Sequence, residues 1–102
     1  MSSHEDSAMQ MILHGGNARA LAYEALEKAK AKDFTAAEMK LMEADSELEK
    51  GHDAQTKLLQ QEAKGAKQPA TLLIAHAMDH LMNAASEKGL IAEIIELRKT
   101  LP

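Results

Sequence analysis

The stretch AKDFTA, residues 31–36, interrupts a pattern of apolar residues that is helical on both sides of it. Before and after this stretch, apolar residues recur at the spacing of amphipathic helices. Thr35 is predicted to cap the helix that follows, and Glu38, three residues later, to complete a capping box. The stretch therefore predicts a turn between two helices.

A second interruption, EAKGAKQPA at residues 62–70, has the same consequence. Gly65 is suited to ending one helix, and Pro69 fits the first turn of the next, where its missing N–H is no loss. Two turns in 102 residues predict three helices, at about residues 6–32, 35–64 and 69–100.

Composition supports an all-α fold. Aromatic residues make up 2% of the chain and valine is absent, so the core must be built from Leu, Ile, Met and Ala. Sheets favour β-branched and aromatic side chains, whereas this set suits helix packing. We predict a single domain, residues 1–102, folded as an up-down-up three-helix bundle.

The predicted bundle is long and thin. Helices of about 30 residues are roughly 45 Å long, and such a bundle buries limited area per residue. The third helix carries apolar residues around much more than one face. Self-association is therefore expected to cover part of this surface.

Glycines interrupt each predicted helix. Gly15 and Gly16 are adjacent in the first helix, and two glycines there cost about 1 kcal/mol each relative to alanine. Either this helix bends at the pair or another backbone comes close to it. Gly51 and Gly89 mark a possible irregularity in the second helix and a possible bend in the third.

Charge and composition exclude several classes of function. The net charge is -4, with acidic and basic residues interleaved, which argues against binding to a nucleic-acid backbone. The chain has no cysteine, so it has no disulfide, thiolate metal site or cysteine nucleophile. No secretory signal and no stretch of roughly 20 apolar residues is visible. We expect a soluble cytoplasmic protein that does not insert into a membrane.

The stretch LLIAHAMDHLMN, residues 72–83, combines apolar residues with ionisable ones. At about 100° per residue, His76, Asp79, His80 and Asn83 form one polar stripe, with residues such as Ile74, Met78, Leu81, Met82 and Ala85 on the other side. The stripe allows three interpretations: histidines that pair locally with Asp79, a metal site formed by histidines at i and i+4, or a nucleophilic histidine. Spacing alone does not choose among them, although HxxDH is a poor match to the zinc motif HExxH.

Three ordered segments resemble one family, the lactose/cellobiose-type enzyme IIA proteins of the bacterial phosphoenolpyruvate-dependent sugar phosphotransferase system. AHAMDHLMNA, residues 75–84, is similar to the family's HAQDHLM signature. GGNARALAYEALEKAKAKDFTAAE, residues 15–38, resembles the family's first helix and turn, and GHDAQTKLL, residues 51–59, resembles its AHxxQTxLL element.

The resemblance implies a cytoplasmic phosphocarrier that accepts a phosphoryl group from the histidine of HPr and passes it to a cysteine of enzyme IIB. The phosphorylated histidine falls on His76. The family's aspartate falls on Asp79, and the resemblance implies a homotrimer with a nine-helix core in which three such carboxylates meet on the threefold axis around a divalent cation. Mg²⁺ is the expected ion, because it prefers oxygen ligands and would offset repulsion among the carboxylates.

His80 and Gln55 are the candidate supporting residues for His76, as hydrogen-bond partners of the imidazole or the phosphoryl group. His52 could border the site or serve only in packing. Arg19, in the family's GxAR element, is predicted either to form a salt bridge or to line a docking surface. His4 and His14 match no functional motif and are read as incidental surface groups.

One position departs from the family pattern, since Met78 stands where the family usually has glutamine. On the helical wheel Met78 points away from His76, so a packing role is predicted. The sugar, of cellobiose, chitobiose or lactose type, is not identified by the sequence. The alternative function is a helical oligomerisation or regulatory module in which the histidines and Asp79 form a structural metal site or merely pack.

Overall fold

The computed structural model describes residues 3–65 and 71–102. These residues form three α-helices: α1 at Ser3–Lys30, α2 at Phe34–Ala63 and α3 at Leu72–Lys99. The described residues contain no strand, and the molecule measures 56 × 20 × 18 Å. The predicted three-helix bundle is confirmed, with helix boundaries within three residues of those expected.

The first turn is capped by a different residue from the one predicted. Lys32 adopts a left-handed conformation with φ of 63°, and Asp33 then caps α2 by accepting a hydrogen bond of 3.1 Å from the Ala36 N–H to Oδ1. The prediction of a Thr35 cap was wrong, because the chain reverses earlier and Thr35 already lies inside the helix. Glu38 accepts a hydrogen bond of 2.7 Å from Lys99 Nζ on α3 instead of closing a capping box.

The second turn begins as predicted. Gly65 has φ of 89°, in the left-handed region that glycine adopts without steric cost, just after α2 ends at Ala63. Thr71 caps α3, its hydroxyl oxygen accepting a hydrogen bond of 3.1 Å from the Ile74 N–H. The prediction for Pro69 lies outside the described residues.

Helix α1 is the centre of the bundle. It packs along both α2 and α3, which contact each other over a much smaller surface. The α1 face in these contacts is lined by small residues, which let the helices approach closely. The fully or almost fully buried residues of α1 are Ala8, Met11, Ala18, Ala22, Ala25 and Ala29.

The glycines of α1 and α2 mark close helix packing and not bends. Both helices are continuous through them. A Cβ added to Gly15 would lie 3.4 Å from the Cα atom of Leu81, so α3 passes close to α1 at this point. A Cβ added to Gly51 would lie only 2.6 Å from Leu81 Cδ1. Helix α3 is likewise continuous through Gly89.

Several apolar residues that the helical pattern grouped with the core lie on the surface. Met82 is 66% exposed and so is not on the packed side of α3, because it lies almost opposite the buried Ala84 on the helix. Met9, Leu13, Met42 and Leu59 are also exposed, while Met11 is fully buried.

The outer side of α3 carries an apolar stripe, defined here as Leu72, Met82, Leu90, Ile94 and Leu97, all of them exposed. Within residues 3–65 and 71–102 nothing covers the stripe, which agrees with the apolar surface beyond one face that the sequence predicts for the third helix. None of the three described helices is both long and apolar enough to cross a membrane.

Candidate functional site

The imidazole rings of His76 and His80 lie together on α3, one turn apart. Their centroids are 5.5 Å apart and their planes meet at 66°, so the rings are arranged edge to face. His76 is exposed, whereas His80 is half-buried against α1. The helix therefore presents one accessible imidazole supported by a second that is held in the bundle.

The glycine pair of α1 forms the surface on which His80 rests. An added Cβ would lie 3.4 Å from His80 Nδ1 at Gly15 and 3.7 Å from His80 Cε1 at Gly16. The Nδ1 atom is buried there and has no hydrogen-bond partner among the residues that the structure describes. We call this the glycine notch, formed by Gly15 and Gly16.

A polar pocket of about 430 Å³ opens beside His80. It lies between α1 and α3, and its walls supply a guanidinium, carboxylates, an amide and a hydroxyl. The lining residues are Arg19, Asp79, His80, Asn83, Ser86 and Glu87. The predicted polar stripe thus continues past Asn83 into this pocket.

Arg19 forms an ion pair with Glu87, so the salt bridge, one of the two roles predicted for it, is present. Its Nε donates a hydrogen bond of 2.6 Å to Glu87 Oε2, and the Tyr23 hydroxyl donates one of 3.0 Å to Glu87 Oε1. The guanidinium also lies 5.5 Å from the Tyr23 ring centroid. The bond from Arg19 is the main cause that lowers the pKa of Glu87, and the Tyr23 bond and the nearby His80 lower it further.

Gln55 and Met78 contact each other across α2 and α3. Gln55 Nε2 donates to Met78 Sδ at 3.1 Å, and Met78 packs against the core cluster that contains Leu81. The packing role predicted for Met78 is confirmed. Gln55 makes no hydrogen bond to either histidine of α3 in the part of the chain that the structure describes.

Asp79 lies within the apolar stripe of α3, exposed to solvent and three residues before Met82. No group of three or more His, Cys, Asp or Glu side chains within residues 3–65 and 71–102 is arranged to hold a metal.

Comparison with known proteins identifies the family. Residues 6–99 match the family model described as PTS system, Lactose/Cellobiose specific IIA subunit. The chain belongs to this IIA family. It is 53% identical over 93 residues to the lichenan-specific phosphotransferase enzyme IIA component of Bacillus subtilis strain 168, covering 91% of this chain and 84% of that protein.

Solved structures of IIA proteins have the same fold. The PTS cellobiose specific enzyme IIA from Bacillus anthracis superimposes with a TM-score of 0.93 at 42% identity, covering 97% of this chain and 91% of that one. The IIA(Chitobiose) subunit in its complex with HPr, from the Escherichia coli phosphotransferase system, gives a TM-score of 0.83 at 37% identity over 97% and 96% of the two chains. This IIA chain is accordingly a phosphocarrier component of a sugar phosphotransferase system.

Within this IIA fold, the residues predicted from the sequence are only partly brought together. His76, His80 and Asp79 share one exposed side of α3, while His52 is exposed on α2 without a described contact to them. Gln55 reaches α3 only through Met78.

Two structural partners were missed by sequence reasoning. Glu87 lies one turn beyond Asn83, so extending the polar stripe by one turn would have found it. His14 is not an incidental surface group, because it lies 3.1 Å from Gln10 Oε1 and 3.4 Å from Glu47 Oε1, linking α1 to α2. Pairing across helices leaves no local signal in the sequence.

Proposed function

We propose that His76 is the residue phosphorylated in this IIA chain, receiving the phosphoryl group from HPr and passing it to a cysteine of enzyme IIB. The observation that carries the proposal is the exposed imidazole of His76, set beside His80 on the polar side of α3. The IIA(Chitobiose) neighbour, whose structure was solved in complex with HPr, supports HPr as the donor.

Each transfer is an in-line displacement at phosphorus. A lone pair on a ring nitrogen of His76 forms the new N–P bond while the bond from phosphorus to the histidine of HPr breaks, and that electron pair returns to the HPr imidazole. In the second transfer a thiolate of enzyme IIB forms an S–P bond, and the N–P electron pair returns to His76. Exposure of His76 suits this role, since two partners must reach the same nitrogen in turn.

His80 and Gln55 are the supporting residues of the proposal. The His80 ring is already in contact range of the His76 ring. The Gln55 amide is occupied by the Met78 sulfur, which is a weak acceptor. Gln55 is the less direct of the two, because Met78 lies on the side of α3 away from His76, so the amide would have to leave the sulfur and cross to the other side of the helix to reach a phosphoryl oxygen, which is a much stronger acceptor.

We further propose that three chains associate through the outer side of α3 as a homotrimer. The apolar stripe supplies the surface to be buried, and Asp79 lies within it. A carboxylate is a hard oxygen donor, so three copies of Asp79 on a threefold axis fit a divalent cation such as Mg²⁺. Bound there, the cation would offset repulsion among the carboxylates; it takes no part in the transfer at His76.

The sugar is proposed to be a β-linked disaccharide or short oligosaccharide of the cellobiose, chitobiose or lactose type, transported and phosphorylated by the membrane components of the system. The similarity to the lichenan-specific and cellobiose-specific IIA proteins supports this class. The chain is proposed to act in the cytoplasm, where HPr and the membrane components meet.

The experiment is an uptake panel in the source strain with the gene deleted. Loss of uptake of one β-linked sugar, restored by the wild-type gene and not by His76→Ala, supports the proposal. A deletion strain that takes up cellobiose, chitobiose, lactose and lichenan oligosaccharides normally would contradict the assignment of sugar class.

A further inference from the structure

His80 has two ring nitrogens in very different surroundings. Nδ1 is buried against the glycine notch and, within residues 3–65 and 71–102, has no hydrogen-bond partner. Nε2 is not enclosed in this way, and the ring contributes to the wall of the polar pocket that also holds Asp79 and Asn83.

A neutral imidazole carries its proton on one nitrogen and accepts through the other. Placing the proton on Nδ1 would bury an N–H donor without an acceptor, which is rare in folded proteins and costly. A bare Nδ1 faces the Gly15 backbone, where the Cα–H bond occupies the direction that a Cβ would take. A C–H group can donate weakly but cannot accept, so this contact suits a bare nitrogen and not an N–H.

We propose that the glycine notch fixes His80 as the Nε2–H tautomer, so that His80 supports His76 by donating through Nε2. In this arrangement the donor lies on the edge of the ring that is not enclosed by the notch, in a side chain that lines the polar pocket and whose ring centroid is 5.5 Å from that of His76. It can then donate to an oxygen of a phosphoryl group on His76, sharing the charge that builds up there during transfer. This inference rests on the proposed function of His76 only in naming a phosphoryl oxygen as the acceptor of the hydrogen bond from Nε2.

The tautomer is measured directly by nitrogen NMR of the uniformly ¹⁵N-labelled protein at pH about 8, where an ordinary histidine is neutral. Two-bond couplings from the ring C–H protons distinguish a protonated nitrogen from a bare one, and loss of the signals in His80→Gln assigns them. We expect a protonated Nε2 and a bare Nδ1. A protonated Nδ1, or rapid exchange between the two tautomers, would overturn the proposal. This readout needs no phosphoryl transfer, so it stands even if phosphorylation of His76 fails.

A matched pair of variants tests the donor role. In His80→Gln the side-chain amide reaches the position of Nε2, whereas in His80→Asn it reaches only the position of Nδ1, inside the notch. His80→Gln is expected to keep transfer from phospho-HPr within about threefold, while His80→Asn loses about 10- to 100-fold, the range for one hydrogen bond to a charged group. Equal losses in the two folded variants would contradict a donor at Nε2. If His80→Asn does not fold, the NMR measurement still decides the tautomer.

Discussion

Arg19 Nε donates a hydrogen bond of 2.6 Å to Glu87 Oε2 and so ties α1 to α3 beside His80. This bond is the largest cause of the lowered pKa of Glu87. A carboxyl with a lower pKa in the folded state than in the unfolded state stabilises the fold above its unfolded pKa, near 4.3, and this stabilisation is lost as the pH falls through the folded pKa.

Glu87→Gln removes this contribution and so tests it. At pH 7 the variant should have a lower free energy of unfolding than the wild type, and the difference should shrink as the pH is lowered to about 3, because the wild-type carboxyl takes up a proton as the pH falls through its lowered pKa. The measurement is urea denaturation at the two pH values. Glu93→Gln is the control, because Glu93 is exposed on the same helix. If Glu87→Gln lowered the free energy of unfolding by the same amount at both pH values, the stabilisation would not come from the ionised carboxyl of Glu87.

Gly51 packs directly on Leu81, and Gly51→Ala is predicted to destabilise the protein. The added Cβ would lie 2.6 Å from Leu81 Cδ1, and Leu81 is fully buried and cannot move freely. Overpacking of this kind costs about 1 to 3 kcal/mol, more than the gain of about 1 kcal/mol in helix propensity.

Gly89→Ala is the matched control for this packing, since a Cβ there would meet nothing within 4 Å. It should stabilise α3 by about 0.5 to 1 kcal/mol. Thermal unfolding of the two variants checks that Gly51→Ala is less stable than the wild type and that Gly89→Ala is more stable. If Gly51→Ala were as stabilising as Gly89→Ala, the close packing on Leu81 would be incorrect.

Met78, the residue that departs from the family pattern, is predicted to matter for packing and not for chemistry. Met78→Leu conserves volume and should change the free energy of unfolding by less than about 1.5 kcal/mol, with phosphoryl transfer within about twofold of wild type. Transfer is measured from radiolabelled phospho-HPr. A loss of transfer without a loss of stability would mean that the sulfur contact with Gln55 has a role in the reaction.

Asp79→Leu tests the proposed cation at the subunit axis. Removing the carboxylate removes the repulsion that the cation would offset, so the variant should remain a trimer and contain no bound divalent ion. Sedimentation and metal analysis are measured together, with Asp53→Leu, an exposed carboxylate on α2, as the control. Unchanged cation content in Asp79→Leu would rule out Asp79 as a ligand.

Much of the fold was predictable because its determinants are local. Three helices follow from two interruptions of one helical pattern, and Gly65 ended α2 as predicted. The cap of α2 was not predicted, because Thr35 and Asp33 are both good capping residues and the left-handed turn at Lys32 decided between them.

The polar side of the site was also predictable, since His76, Asp79 and His80 share one helix face by spacing alone. Their partners come from other helices: Gly15 beneath His80, and Arg19 on Glu87. Such contacts depend on the axial offset between packed helices, which periodicity within each helix does not encode. The exposed positions of Met82 and Met42 were not predicted for a similar reason. Whether an apolar residue is buried depends on which helix packs over it, and the sequence of its own helix does not record that.

The central claim is that His76 carries the phosphoryl group. The direct measurement is intact mass spectrometry after incubation with phosphoenolpyruvate, enzyme I and HPr, using the wild type, His76→Ala and His80→Gln. We predict the addition of one phosphoryl group per chain, labile in acid, in the wild type and in His80→Gln, and none in His76→Ala. An unmodified wild-type chain, or a His76→Ala chain that gains the same mass, would contradict the assignment.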